Sequence, residues 1–204
     1  MDAATSQLET ERKYDAGPEF TLPDLSAVPG YTVSEPETFH LAAVYFDTDD
    51  LRLIKNKVTL RRRTGGEDDA WHLKLPVRPG TRRERHLPLS AGTDTVPAEL
   101  QDLVADLTGG EPLRPIARLN TDRTIRRLIG ADGQPRAEVA DDQVSGRRLA
   151  ADGQAAAPLT WHEIEVELMS GPPDVLDAAE TVLRAAGARP SSSASKLGRV
   201  LEQG

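Results

Sequence analysis

The chain has 204 residues, 38% hydrophobic and 28% charged, with a net charge of −8 and no cysteine. That length fits one domain with a buried core, and the missing thiols exclude a disulfide framework, a thiolate metal site and a cysteine nucleophile. The acidic balance opposes non-specific nucleic-acid binding; no apolar run approaches the roughly 18 residues of a membrane span, no signal peptide is visible, and a cytoplasmic location is expected.

In chain order, residues 7–14 predict a first strand. Residues 15–38 carry Gly17, Pro18, Pro23, Pro29, Gly30 and Pro36, too much punctuation for one long helix, with room for a short one around Leu22–Val28. Leu41–Asp47 is a second strand, and Thr48-Asp49-Asp50 resembles an N-cap opening a helical turn through Ile54. Strands follow near 57–63, 70–76 and 83–89, each set off by a Gly- or Pro-containing turn. Val96–Leu107 has helical spacing, with Pro97 near its start and Gly109-Gly110 beyond its end. Arg114–Arg127 is extended, with a bend expected near Asn120-Thr121. Arg136–Ala140 and Val144–Leu149 predict a hairpin across Asp141-Asp142-Gln143. The Ala/Gly segment 150–158 reads as a loop and Leu159–Leu168 as a strand. Asp174–Ala186 is a helix, opened by Pro172-Pro173 and ended by Gly187. A short terminal helix carries Lys196.

Alternate side chains of a strand share a face. Glu9, Glu11 and Lys13 therefore line one face of the first strand. Glu163, Glu165 and Glu167 line one face of the late strand, with Ile164, Val166 and Leu168 behind them. Carboxylates two residues apart lie roughly 7 Å from one another and repel by about 2 kcal/mol at an effective dielectric near 20. Water screens this on an open sheet. In a closed lumen only cations balance it, and hard divalent cations take such oxygen ligands. Basic side chains alternate in the strands between. Thr59, Arg61 and Arg63 share a face, with Arg62 on the other. His72 and Lys74 stand opposite Trp71, Leu73 and Leu75. Arg83 and Arg85 alternate with Glu84, and Arg118, Arg123 and Asp141-Asp142 follow. A sheet closing on itself would bring the acidic terminal strands beside the basic ones. The expected fold class is α+β: a closed antiparallel barrel with a charged lumen and helices outside. His40, His86 and His162 read as structural and His72 as lining the tunnel. Gly65-Gly66 lacks the Gly-Lys-Ser/Thr of a phosphate-binding P-loop.

In this order, the residues resemble the CYTH superfamily of triphosphate tunnel metalloenzymes. Glu9-x-Glu11-x-Lys13 resembles its ExExK signature and Tyr45-Phe46-Asp47-Thr48 its YFDT segment. Leu60-Arg61-Arg62-Arg63 is similar to its LRxR strand and Trp71-His72-Leu73-Lys74 to its Lys-bearing strand. Arg83-Glu84 matches an Arg-Glu pair, Arg118 and Arg123 a later basic strand, Glu163, Glu165 and Glu167 the late acidic strand, and Ser195-Lys196 a terminal Ser-Lys. The resemblance implies an eight-stranded tunnel that binds a triphosphate with Mg²⁺ or Mn²⁺. It also implies site roles. Glu9, Glu11, Lys13 and Glu84 are the catalytic set. Lys13, Arg61, Arg63, Lys74, Arg118, Arg123 and Lys196 bind substrate. Glu9, Glu11, Glu163, Glu165, Glu167 and Asp142 hold metal. Glu84 and Asp142 could complete a metal shell, orient water or simply pair with arginine; Lys196 could reach the tunnel mouth or lie on the surface.

Residues 1–204 are expected to form a single tunnel domain. Family members often carry a helical CHAD domain after the tunnel, and this chain stops about where one would begin, so an independent protein and a piece of a longer one both remain open. The leading reaction is hydrolysis of inorganic tripolyphosphate. Thiamine triphosphatase and class IV adenylate cyclase are the alternatives within the family, and a non-catalytic polyphosphate-binding module is the alternative outside enzymes. No nucleic acid or membrane partner is expected, and the sequence leaves the oligomeric state open.

Overall fold

The computed structural model describes residues 5–66, 69–89, 94–150 and 156–203. Eight strands form the wall of a barrel: β1 (Thr5–Ala16), β3 (Glu37–Asp47), β4 (Thr59–Thr64), β5 (Ala70–Arg78), β6 (Thr81–Pro88), β7 (Arg114–Ile129), β8 (Pro135–Arg148) and β9 (Leu159–Leu168). Every pairing is antiparallel, in the order β1-β6-β5-β4-β3-β7-β8-β9, and β9 returns to β1 so that the sheet closes. Two-residue strands β2 (Thr32–Val33) and β10 (Arg189–Pro190) attach to β7 and β1. Closure removes the sheet edges and divides every strand into lumen-facing and outward-facing sets.

The outward apolar sets bind the helices. Helix α4 (Asp174–Ala185) has Asp174 and Asp177 in its first turn and Arg184 in its last, matching the helix dipole. Val175, Leu176, Ala179 and Leu183 share one stripe, and they pack on Tyr14, Val139, Ile164 and Val166. Each fully buried Leu or Val there contributes about 1.5–3 kcal/mol. Arg12 clamps the same helix to β1 through Asp177 at 2.6 Å and Glu180 at 2.7 Å. On the opposite side, α2 (Ala98–Leu103) and α3 (Ala105–Thr108) break the expected single helix at Val104. Leu100 and Val104 cover Leu60, Trp71, Leu73 and Phe46. The short helix α1 (Arg52–Lys55) is anchored by buried Asp47, whose carboxylate accepts from the N–H groups of Thr48, Leu53 and Ile54 at 2.7–3.0 Å.

Helix α5 (Lys196–Gln203) acts differently. Leu197 and Val200 pack on Ala43, Tyr45, Leu119 and Val144, side chains of the inner faces of β3, β7 and β8. The helix thus plugs one end of the barrel. Gly146 makes room for it: a Cβ there would lie 2.5 Å from Val200.

Three further sequence expectations differ from the structure. No hairpin forms at Asp141-Asp142-Gln143, because β8 runs unbroken through them; Asp142 pairs with Arg123 and Asp141 is hydrogen-bonded to His162, so the side chains of these aspartates are engaged across the sheet and do not form a turn. The register of β3 and β7 shifts at Tyr45/Phe46 opposite Ala117 and Pro115, not at Asn120-Thr121. The short helix around Leu22–Val28 shrinks to a 3₁₀ turn, Leu25–Ala27, capped by Asp24. Most of the expected 150–158 loop, residues 151–155, lies outside the described residues.

Candidate active site

The lumen encloses a cavity of about 350 Å³. Odd-numbered residues of β1, β3, β4, β7 and β9 and even-numbered residues of β5, β6 and β8 point into it. Glu9 and Lys13, Arg61 and Arg63, Lys74, Glu84, Arg123, Glu165, Glu167 and Lys196 all line it. Glu11 lies on the Glu9 face of β1, and Asp142 and Glu163 reach the same network through Lys196. Arg118 is the exception. It lies five residues from Arg123, an odd offset, so the two must occupy opposite faces of one strand. Arg118 is exposed and lines an outer groove instead.

Two walls of the lumen carry charge differently. On one, Asp142, Glu163 and Glu165 bring carboxylate oxygens within 4.8 Å of one another. Three cations meet them. Arg123 grips Asp142 with Nε at 2.7 Å and Nη2 at 2.6 Å, and donates to Glu165 at 2.7 Å. Lys196 Nζ lies 2.8, 2.6 and 2.7 Å from Asp142, Glu163 and Glu165. Lys13 contacts Glu165 and lies 3.2 Å from Glu11. Trp161 Nε1 donates to Glu163 at 2.5 Å. Burial alone would raise the Glu165 and Asp142 carboxyls. The lysines and Arg123 overcome it: Glu165 falls well below the usual range, held by Lys13, Lys196 and Arg123, and Asp142 is lowered by Lys196 and Arg123. Burial disfavours the charged amine of Lys196, yet the surrounding carboxylates raise its pKa.

The other wall is less balanced. Glu11 and Glu167 are direct cross-strand neighbours, and Glu167 also faces Glu138 on β8. Such partners have Cβ atoms about 4.5–5.5 Å apart. Glu11 is kept ionised against burial by Lys13 and Lys74. Glu167 makes no ion pair among the described residues. Burial first, then Glu9, Glu11 and Glu84, push its pKa up to about 8. Lys74 is committed to Glu9, at 2.5 and 2.7 Å from its two oxygens. Arg61 donates to the Tyr45 hydroxyl at 3.2 Å and forms no ion pair among the described residues, and its Nε is buried without a hydrogen-bond partner. Glu84 accepts from or pairs with His72 and His86, each at 3.1 Å. Burial, with Arg61 and Arg63, lowers His72 to about 4; it is neutral at pH 7.

Sequence reasoning missed Tyr45, Arg82, His86 and Glu138, which also line the cavity. The signal was present: Arg82 and His86 have the parity of Glu84, and Glu138 has that of Asp142. Tyr45 shares its face with Leu41 and Ala43, which are apolar and give that face no charge to mark it as lumen. The outward parity of Arg83 and Arg85 places them behind Glu84, away from the lumen.

The profile of the CYTH domain matches residues 7–200. This chain belongs to the CYTH family. Over 205 residues it is 41% identical to the uncharacterized protein Rv2226 of Mycobacterium tuberculosis, covering 95% of this chain but 40% of that protein, and it matches uncharacterized protein MT2285 of another strain equally. The chain thus spans less than half the length of these curated relatives. Among solved structures, a candidate adenylate cyclase of Bacillus halodurans superposes with a TM-score of 0.63 at 19% identity, covering 95% of this chain and 97% of that one. A candidate adenylyl cyclase of Hippeastrum, described as having a dominant triphosphatase activity, gives 0.53 at 15% identity, with 96% and 95% covered. At those identities the likeness establishes the CYTH fold.

Proposed function

We propose that this CYTH domain hydrolyses a triphosphate, inorganic tripolyphosphate foremost, with Mg²⁺ or Mn²⁺. The observation that carries the reading is a lumen holding an arginine without a carboxylate partner, Arg61, together with a carboxyl without a cation, Glu167. The first suits a phosphate and the second a metal. Glu9, Glu11 and Glu167 would hold a divalent ion on the less balanced wall, with Glu163, Glu165 and Asp142 as the second set; the all-oxygen donors fit Mg²⁺ or Mn²⁺. Such an ion neutralises phosphate oxygens and lowers the pKa of a bound water. Arg61, Arg63, Lys74 and Arg123 would grip the phosphates, Arg through paired donors and Lys as a point charge. Lys13 and Lys196 hold Glu165 ionised and would turn to phosphate when it enters. Glu84, flanked by neutral His72 and by His86, would orient the attacking water. Phosphoryl transfer asks for this positioning and charge compensation more than for covalent chemistry.

Tripolyphosphate is favoured over nucleotides because Tyr45 is the one Phe, Trp or Tyr among the described lining residues. Trp71 is fully buried outside, 5.1 Å from Phe46, leaving little surface to stack a base. The relatives named as cyclases make class IV adenylate cyclase the competing activity, with thiamine triphosphatase a third. A single tunnel domain within a longer chain fits the share of the curated relatives it spans. The deciding experiment is phosphate release from tripolyphosphate, ATP, thiamine triphosphate and long-chain polyphosphate, with Mg²⁺, Mn²⁺ or excess chelator. Metal-dependent release, fastest from tripolyphosphate, is expected. Full activity in chelator would end the metal assignment. Cyclic AMP formation without orthophosphate release would put the cyclase first, and binding without turnover of any of the four would leave a polyphosphate-binding module.

A further inference from the structure

The outer face of β4-β3-β7-β8 carries a second, separate concentration of positive charge. Arg62, Arg114, Arg118 and Arg147 line a groove of about 610 Å³. Arg62 pairs in register with Val44, Val44 with Arg118, and Arg118 with Arg147. Three arginines therefore stand in one row across four strands, two of them directly opposite each other. Like charges so placed destabilise a sheet. Arg118 and Arg147 have no carboxylate partner among the described residues, whereas Arg114 meets exposed Asp49 and Arg62 reaches exposed Asp94 only at 3.7 Å. The chain as a whole is acidic, so the cluster stands against the average. The groove floor is apolar, formed by Ala42, Val44, Pro115 and Leu149.

We infer that this groove docks an extended acidic segment of a partner protein, one that alternates carboxylate and apolar side chains. The dimensions and the lining select that occupant. Strands lie about 4.8 Å apart, so the row from Arg62 to Arg147 spans roughly 14 Å, and Arg114 lies roughly 13 Å along β7 from Arg118. A triphosphate is too short to touch all four. An extended peptide advances about 3.4 Å per residue and covers that distance in four or five residues, with carboxylates recurring on one face every 7 Å or so. A wholly polar polyanion would leave the floor exposed to water; apolar side chains on the peptide would cover it. Arginine clusters recognise acidic segments elsewhere by the same charge-assisted pairing. The inference is independent of the reaction proposed for the lumen.

The test is fluorescence anisotropy with a labelled peptide of alternating glutamate and leucine, seven residues long, against the full chain. Binding is expected at low ionic strength and should weaken steeply as salt approaches about 0.5 M. The double variant Arg118→Glu/Arg147→Glu should weaken it at least about tenfold, with an unchanged thermal midpoint showing that the fold persists. A matched peptide with serine replacing leucine should bind several-fold more weakly. Equal binding of the serine peptide, or tighter binding of long-chain polyphosphate lost in the same double variant, would overturn the inference in favour of a simple polyanion surface. Salt-sensitive self-association abolished by the double variant would assign the groove to a second copy of this chain. No binding of either peptide would make these arginines ordinary solvated charges.

Discussion

The two acidic walls of the lumen contain similar residues in opposite electrostatic states. Asp142, Glu163 and Glu165 are matched by Arg123, Lys196 and Lys13, each within hydrogen-bonding reach of a carboxylate. Glu9 has Lys74 and Glu11 shares Lys13, but Glu167 stands between Glu11 and Glu138 without a cation of its own. The first wall is held by the protein's own positive groups. On the second, positive charge is unevenly placed and none stands beside Glu167, and the cost appears as a carboxyl that retains its proton up to about pH 8. Similar carboxylate patterns in sequence therefore have different consequences, set by which cations the barrel closure brings across.

The largest test of that contrast removes the plug lysine. Lys196→Met should leave Asp142, Glu163 and Glu165 under-compensated and cost about 3–5 kcal/mol, the usual penalty for breaking a buried charge network. Mg²⁺ should then raise the thermal midpoint of the variant more than that of the parent, since the ion would take the place of the ammonium. A midpoint unmoved by the substitution would show that the first wall is not held by Lys196. Next in size is Arg61→Ala, which deletes the lumen guanidinium that has no carboxylate to leave behind. Loss of a charge-assisted contact worth about 1.5–3 kcal/mol should weaken triphosphate binding roughly 10- to 150-fold, with little change in stability. Unaltered KM and kcat would remove Arg61 from the phosphate grip.

The smallest effect sharpens the second wall. Glu167 has a folded pKa of about 8 against an ordinary 4.5, so between those values the folded chain holds a proton that the unfolded chain releases. Stability of the metal-free protein should therefore fall as pH rises through that window. Glu167→Gln removes the penalty. In chelator, the variant should match the parent below about pH 4.5 and exceed it increasingly up to about pH 8, by on the order of 1–3 kcal/mol given partial solvent access. Denaturant melts at a series of pH values measure this. A constant difference would mean that Glu167 ionises normally.

Much of this was legible in the sequence because strands have a period of two. The inward sets of β1, β4, β5 and β9 followed from alternation, and the apolar backs of β5 and β9 told which face was packed. For Arg118 the likeness to a basic strand and the parity of β7 conflict, and parity decides: at an odd offset from Arg123 it cannot share its face. In sequence Asp141-Asp142 suggests a turn, because aspartate favours turns; the contacts of Asp142 with Arg123 and of Asp141 with His162 explain why the strand continues. The role of Lys196 depends on where a terminal helix docks, and no local pattern encodes that.

The docking of α5 also sets a direction on the barrel. Leu197 and Val200 fill one end of the lumen, and Gly146 is small enough to let them seat. On the reading proposed above, a linear anion would enter tip first from the end opposite α5, and fragments would leave by the same way. The blind floor acts as a ruler: groups farther from the tip than the cavity is deep stay outside, whatever their chemistry. Under the reaction proposed above, such a vessel would take a long chain of repeating anionic units from its terminus and not from its middle.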